Sequence, residues 1–167
     1  TPDGNPDESA GAVAFPPTSQ QAKLAAEDGN RRDGFGGSVA LSADGEVALV
    51  GASNEEKPNG QGAGAAYIFA RSEDGWTQQA KLAAEDGSED DLFGISVALS
   101  DNGETALLGA DLEDTAGRGA GAAYVFTSNN GAWEQDAKLV ANDGDQNDNF
   151  GAAVALSGDG STALIGA

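Results

Sequence analysis

Phe35-Gly36-Gly37-Ser38-Val39-Ala40-Leu41-Ser42-Ala43-Asp44-Gly45-Glu46-Val47-Ala48-Leu49-Val50-Gly51-Ala52 is the stretch that decides the fold. Two short apolar runs flank Ala43-Asp44-Gly45, and an Asp-Gly pair supplies the positive φ that a tight hairpin turn needs. Val47-Ala48-Leu49-Val50 is apolar at every position, as expected of a strand covered on both faces. The pattern returns twice. Phe93-Gly94 and Phe150-Gly151 follow Phe35-Gly36 at intervals of 58 and 57 residues. The turn recurs as Asp101-Asn102-Gly103 and Gly158-Asp159-Gly160, and Gly51-Ala52 recurs as Gly109-Ala110 and Gly166-Ala167. Several landmarks that share one register mean a repeat architecture.

Outward from this hairpin, a polar loop leads to Ala65-Ala66-Tyr67-Ile68-Phe69, a third apolar run. The turn Glu73-Asp74-Gly75 then leads to Trp76-Thr77-Gln78-Gln79-Ala80-Lys81-Leu82, which alternates more and reads as an outer strand. Four strands joined by sequential hairpins make a β-propeller blade. The expected fold is therefore all-β, with blades of four antiparallel strands and three blades' worth per chain. Residues 1–167 form a single repeat domain, divided into a half blade at 10–26, blades at 35–83 and 93–141, and a half blade at 150–167. Trp76 and Trp133 fall at the same place in their repeats and are read as packing residues near an outer strand.

The two ends complement each other. Ala10-Gly11-Ala12-Val13-Ala14-Phe15 matches the third strand and Gln20-Gln21-Ala22-Lys23-Leu24 the fourth, whereas the last repeat stops after the second strand, Ala163-Leu164-Ile165. Closed propellers typically have four to eight blades, and open strand edges are sticky. The expectation is that the opening strand pair of one chain completes the closing pair of another. That would give a homo-oligomer, a six-bladed ring of two chains or a filament. The alternative is that the chain is an excerpt of a longer single-chain propeller.

Composition narrows the partners. The chain carries 28 acidic and 8 basic residues, a formal net charge of −20, and the acids punctuate the apolar runs at turns. Such a surface argues against nucleic acid and anionic membranes. Its self-repulsion is relieved in strong salt, which points to a salt-adapted microbe. With no Cys, Met or His there is no disulfide and no thiolate metal site. The common nucleophile–base pairs are missing too. No run has the length of a membrane-spanning helix.

The stretch quoted first, together with Phe93–Ala110 and Phe150–Ala167, resembles the FG-GAP repeat. Gly64-Ala65-Ala66-Tyr67-Ile68-Phe69 and Trp76–Leu82 look like the prokaryotic variant of that repeat. The resemblance runs from about Ala10 to the last residue. It implies an extracellular β-propeller similar to the head of integrin α-subunits, with a role in adhesion or ligand binding. One departure is plain: where integrin-type repeats carry a calcium loop, this chain has only the short turn Ser42-Ala43-Asp44-Gly45-Glu46, with too few oxygen ligands for calcium.

A different loop offers oxygens. Asp28 and Asp33, Asp86 and Asp91, and Asp143 and Asp148 each frame an Asp-Gly-x-x-x-Asp loop ahead of a Phe-Gly pair. These six could hold calcium, or they could cap turns through their side chains. Gly60-x-Gly62-x-Gly64 and Gly117-x-Gly119-x-Gly121 precede strands rather than helices, so they are read as tight strand entries and not as phosphate loops. Paired carboxylates leave a hydrolase conceivable in principle, yet the acids are spread evenly over the repeats. The leading expectation is a non-catalytic extracellular adhesion or structural module. Its alternative is a propeller that binds a surface glycan or a protein ligand, with specificity expected in the N-terminal loop Thr1–Ser9 and the varied loops Ser53–Gly62 and Asp111–Gly119.

Overall fold

The computed structural model describes residues 22–56 and 58–167. The proposed third strand Ala10–Phe15, and with it the N-terminal half of the assembly expectation, lies outside the described residues. Ala22–Leu24, expected to end a fourth strand, is not in a strand here.

Ten strands and no helix make up the described residues. β1 (Val39–Leu41), β2 (Val47–Ala52), β3 (Ala65–Ser72) and β4 (Gly75–Leu82) form one antiparallel sheet in sequential order. β5 (Val97–Leu99), β6 (Thr105–Ala110), β7 (Ala122–Asn129) and β8 (Ala132–Leu139) form a second of identical order. β9 (Ala153–Leu156) and β10 (Ala163–Gly166) form a two-stranded third. The registers repeat: Ala40 faces Leu49 as Ala98 faces Leu107, and a bulge falls at Ile68/Phe69 as at Val125/Phe126. The opening strands are shorter than the sequence suggested: Phe35–Ser38 is a turn, although Gly36 and Ser38 already exchange backbone hydrogen bonds with Gly51.

The hairpin chemistry is that of the sequence. Ser42 Oγ donates to Asp44 Oδ1 at 2.6 Å, and Asp44 Oδ1 accepts the Glu46 N–H at 2.9 Å. Gly45, Gly103 and Gly160 take up φ of 71°, 71° and 72°, the left-handed region where a β-carbon is costly.

The sheets stack face to face. Leu49, Ala66, Ile68 and Leu82 of the first pack against Phe93, Leu108, Tyr124 and Phe126 of the second. The second strands β2 and β6 are buried from their second residue onward, which is what their unbroken apolar character required. The first two Phe-Gly phenylalanines each lie edge-on to two rings of their own repeat: Phe35 to Tyr67 and Phe69, and Phe93 to Tyr124 at 5.4 Å and Phe126 at 5.8 Å. Neighbouring repeats also share backbone hydrogen bonds. The Phe93 N–H reaches the Ala63 carbonyl at 3.0 Å, and the Phe150 N–H reaches Ala120 at 2.8 Å.

Candidate functional site

The six loop aspartates divide into two structural roles. The second of each pair closes its own loop. Asp33 Oδ2 accepts the Asn30 N–H at 2.5 Å, Asp91 Oδ2 the Ser88 N–H at 2.7 Å, and Asp148 Oδ2 the Asp145 N–H at 2.7 Å. A short side-chain acceptor three residues downstream satisfies an otherwise unpaired donor, which is the turn-capping option raised by the sequence.

The first aspartate of the first two pairs reaches across to the following sheet. Asp28 Oδ1 accepts the Tyr67 hydroxyl at 2.9 Å and Oδ2 accepts Lys81 Nζ at 2.6 Å. In the next repeat Asp86 takes the Tyr124 hydroxyl at 3.0 Å and Lys138 Nζ at 2.5 Å. The lysines lie over the tyrosine rings, 5.4 Å from Nζ to centroid in both cases. Asp143 precedes the two-stranded sheet, and no Tyr–Lys pair stands at the matching place among the described residues.

One further acid completes each cluster, and sequence reasoning missed both. Glu55 is 1% exposed and Glu113 6%. The Tyr67 hydroxyl also lies 3.1 Å from Glu55, so its one proton is shared between the two carboxylates, and Lys81 sits 3.4 Å from Glu55. Lys138 Nζ is 2.9 Å from Glu113, and the Thr115 hydroxyl donates to the same carboxylate. The signal was available: Glu55 and Glu113 both stand three residues beyond a Gly-Ala pair, in loops that otherwise differ.

Charge balance in these clusters is uneven. The Lys81 hydrogen bond holds Asp28 below the usual carboxylate range. Burial pushes Asp86 up, but hydrogen bonds from Lys138 and Tyr124 outweigh it and leave the pKa lowered. Lys138 loses hydration on burial, yet Asp86 and Glu113 hold its pKa above the ordinary value. Burial first, and the adjacent carboxylates second, raise both tyrosines, which therefore stay protonated donors. Burial likewise raises Asp33, aided by the neighbouring Glu55, and pushes Asp91 up to about 6, with Glu113 and Asp114 adding to the effect.

The arrangement is a set of satisfied ion pairs. Among the described residues, no group of three or more His, Cys, Asp or Glu side chains is arranged to hold a metal ion. A cation entering the Asp28 or Asp86 loop would compete with a lysine already seated there. Of the varied loops, the second contributes Leu112, Asp114 and Arg118 to a cleft of about 700 Å³ that Glu89, Asp90 and Asn147 also line. The Gly-rich loops are strand entries, as read from the sequence: a β-carbon on Gly64 or Gly121 would overlap the carbonyl oxygen of Phe93 or Phe150 in the next repeat.

A family described as FG-GAP repeat matches residues 18–69, 76–126 and 133–167. No curated protein matches the chain. Among solved structures, that of Saccharomyces cerevisiae Sqt1 is similar at 9% identity with a TM-score of 0.45. The match covers 68% of this chain and 25% of that one, so the chain spans about a quarter of that structure's length.

Proposed function

This chain belongs to the FG-GAP repeat family, and from that premise we propose that it is a non-catalytic adhesion or structural module of the cell exterior, which assembles head to tail by sharing a blade between copies. FG-GAP repeats typically occur in extracellular proteins, and their propellers are generally not enzymes. Among the described residues no helix is long and apolar enough to cross a membrane. The net charge of −20 suits a salt-rich exterior, where screening shortens the reach of self-repulsion to about 3 Å near 1 M salt.

One observation carries the assembly reading: equivalent leucines are covered inside the stack and bare at its ends. Leu49 and Leu107 are fully buried by the sheet that follows theirs, whereas Leu164 is 73% exposed. At the other face Leu99 is 9% exposed, whereas its counterpart Leu41 is 60% exposed. Leu41 and Leu164 thus present the same apolar chemistry as the counterparts that already pack within the chain. The charges support the pairing. Lys23 holds the place of Lys81 and Lys138 in its repeat, and Asp143 holds the place of Asp28 and Asp86. A second copy docked head to tail unites them in the same ion pair.

Sedimentation velocity in molar KCl tests this. The wild type sediments as a dimer or longer, Asp143→Lys dissociates it, and Lys23→Asp in the same chain restores it. A concentration-independent monomer removes the assembly reading. It would leave a polypeptide whose further blades are supplied in cis.

A further inference from the structure

The sheets leave a cleft on their outer rim wherever the end of one repeat meets the outer strand of the next. One, of about 440 Å³, lies between Leu82–Glu85 and the β8 residues Trp133, Glu134 and Gln135. The other, of about 330 Å³, lies between Leu24–Glu27 and the β4 residues Trp76, Thr77 and Gln78. Their linings correspond position for position in the repeat: tryptophan to tryptophan, glutamine to glutamine, leucine to leucine. The single difference in chemistry is Glu134 in place of Thr77.

Each cleft combines a flat apolar wall with an oriented polar group. Trp76 and Trp133 are half-buried, packed on the core and open to the cleft. The glutamine beside each is fixed: Gln78 Oε1 accepts the Glu27 N–H and Gln135 Oε1 accepts the Glu85 N–H, both at 3.0 Å. Those bonds engage the amide oxygen and leave the amide nitrogen, a double donor, uncommitted among the described residues. Packing alone explains the tryptophans. It does not explain why a pinned amide and a hydroxyl or carboxylate should stand at the same open rim in both repeats.

We propose that these two inter-blade clefts are binding sites for the pyranose rings of neutral glycans. A pyranose has an apolar C–H face that lies on an indole and a ring of hydroxyls that takes up amide donors and carboxylate or hydroxyl acceptors. The volumes fall at the small end of ligand clefts, roughly 300–1,000 Å³, which suits one or two sugar rings. The strongly acidic surface repels sulfated and sialylated chains, so the ligand is uncharged. One site per repeat makes attachment multivalent, so weak single sites add up on a repeating glycan. The proposal supplies a ligand class for the adhesive reading and does not depend on self-assembly, because both clefts lie within one chain.

The chain has only two tryptophans, one in each cleft, so its indole fluorescence reports cleft occupancy directly. The test titrates the protein in molar KCl with methyl glycosides of glucose, galactose and mannose, and with their β-linked disaccharides. A saturable emission change at about millimolar concentration is expected for at least one of them. Trp133→Phe and Trp76→Phe keep an aromatic ring in the core. Each should weaken binding at its own cleft roughly three- to tenfold by calorimetry. The exposed variants Glu134→Ala and Thr77→Ala should each weaken one cleft without altering circular dichroism. The proposal fails if no sugar in the panel gives a saturable change. It also fails if saturation measured by calorimetry survives all four substitutions, or if tetramethylammonium saturates the wild-type signal and the sugars do not. The oligomeric state measured on the same samples separates this outcome from failure of the assembly reading.

Discussion

A β-carbon on Gly51 would overlap the carbonyl oxygen of Gly94, so a glycine in the second strand of one sheet lets the Phe-Gly turn of the next repeat approach. Gly109 stands in the same relation to Gly151. The contact is reinforced by the Ser38 hydroxyl, which donates to the Gly94 carbonyl at 2.7 Å, and by Ser96, which donates to Gly151 at 2.6 Å. The two most recognisable dipeptides of the repeat therefore meet across the interface between sheets.

Gly51→Ala should be among the most damaging small substitutions. The added methyl meets backbone on a neighbouring sheet and cannot be relieved by a rotamer change, so a loss of about 1–3 kcal/mol or more is expected from overpacking. Gly45→Ala is the control. Nothing lies within 4 Å of its added β-carbon, and only the positive φ is unfavourable, costing about 1–2 kcal/mol. Urea midpoints of the two variants should rank them in that order.

Lys138→Met should cost more than Tyr124→Phe. The lysine is the cation beside Glu113, and removing it leaves a nearly buried carboxylate uncompensated, worth about 3–5 kcal/mol in comparable buried pairs. The tyrosine change removes one hydroxyl hydrogen bond to Asp86, worth about 1–2 kcal/mol. The double variant Lys138→Met/Glu113→Gln should recover part of the first loss. Thermal unfolding of the three proteins at one salt concentration checks this.

Asp91→Asn should stabilise the protein at neutral pH and do nothing near pH 4. The native carboxyl titrates at about 6 and the unfolded one near 3.8, so between those values the folded state holds the extra proton. Its favourable contribution is full below the unfolded value and is lost as pH rises through 6. The upper bound is about 3 kcal/mol. The amide is neutral at every pH and keeps an oxygen for the Ser88 N–H. Asp28 and Asp86 work in the opposite direction: their lowered values add stability above about pH 4 that disappears on acidification. Denaturant midpoints from pH 4 to 8 should show the variant and wild-type curves separating as pH rises.

Calcium should leave the melting temperature where an equal ionic strength of KCl leaves it. Asp28 and Asp86 are held by lysine ammonium groups, and Asp33, Asp91 and Asp148 are engaged in turn caps. A saturable calcium-specific rise in calorimetry, abolished by Asp143→Asn, would instead restore the loops as ligands.

Much of this was legible in the chain because it repeats. Val47–Val50, apolar throughout, can only be a strand covered on both sides, and Asp44-Gly45 can only be the bend beside it. The role of Asp28 was not legible, because its partners Tyr67 and Lys81 are 39 and 53 residues away, and a turn-forming Asp and a ligand Asp look alike in sequence. Glu55 was passed over as one polar residue in a variable loop, although it is almost wholly enclosed.

The sequence by itself determined the period, the four-strand unit and the turn chemistry, because each depends on near neighbours: backbone torsion at Gly45, alternation along β4, the uninterrupted apolar run of β2. Only the tertiary structure decided what crosses between repeats. Which carboxylates meet a lysine, which glycine faces a carbonyl, and which tryptophans border an open cleft depend on how one sheet is set against the next. That setting is fixed by the packing of two whole faces, which no local stretch of residues contains.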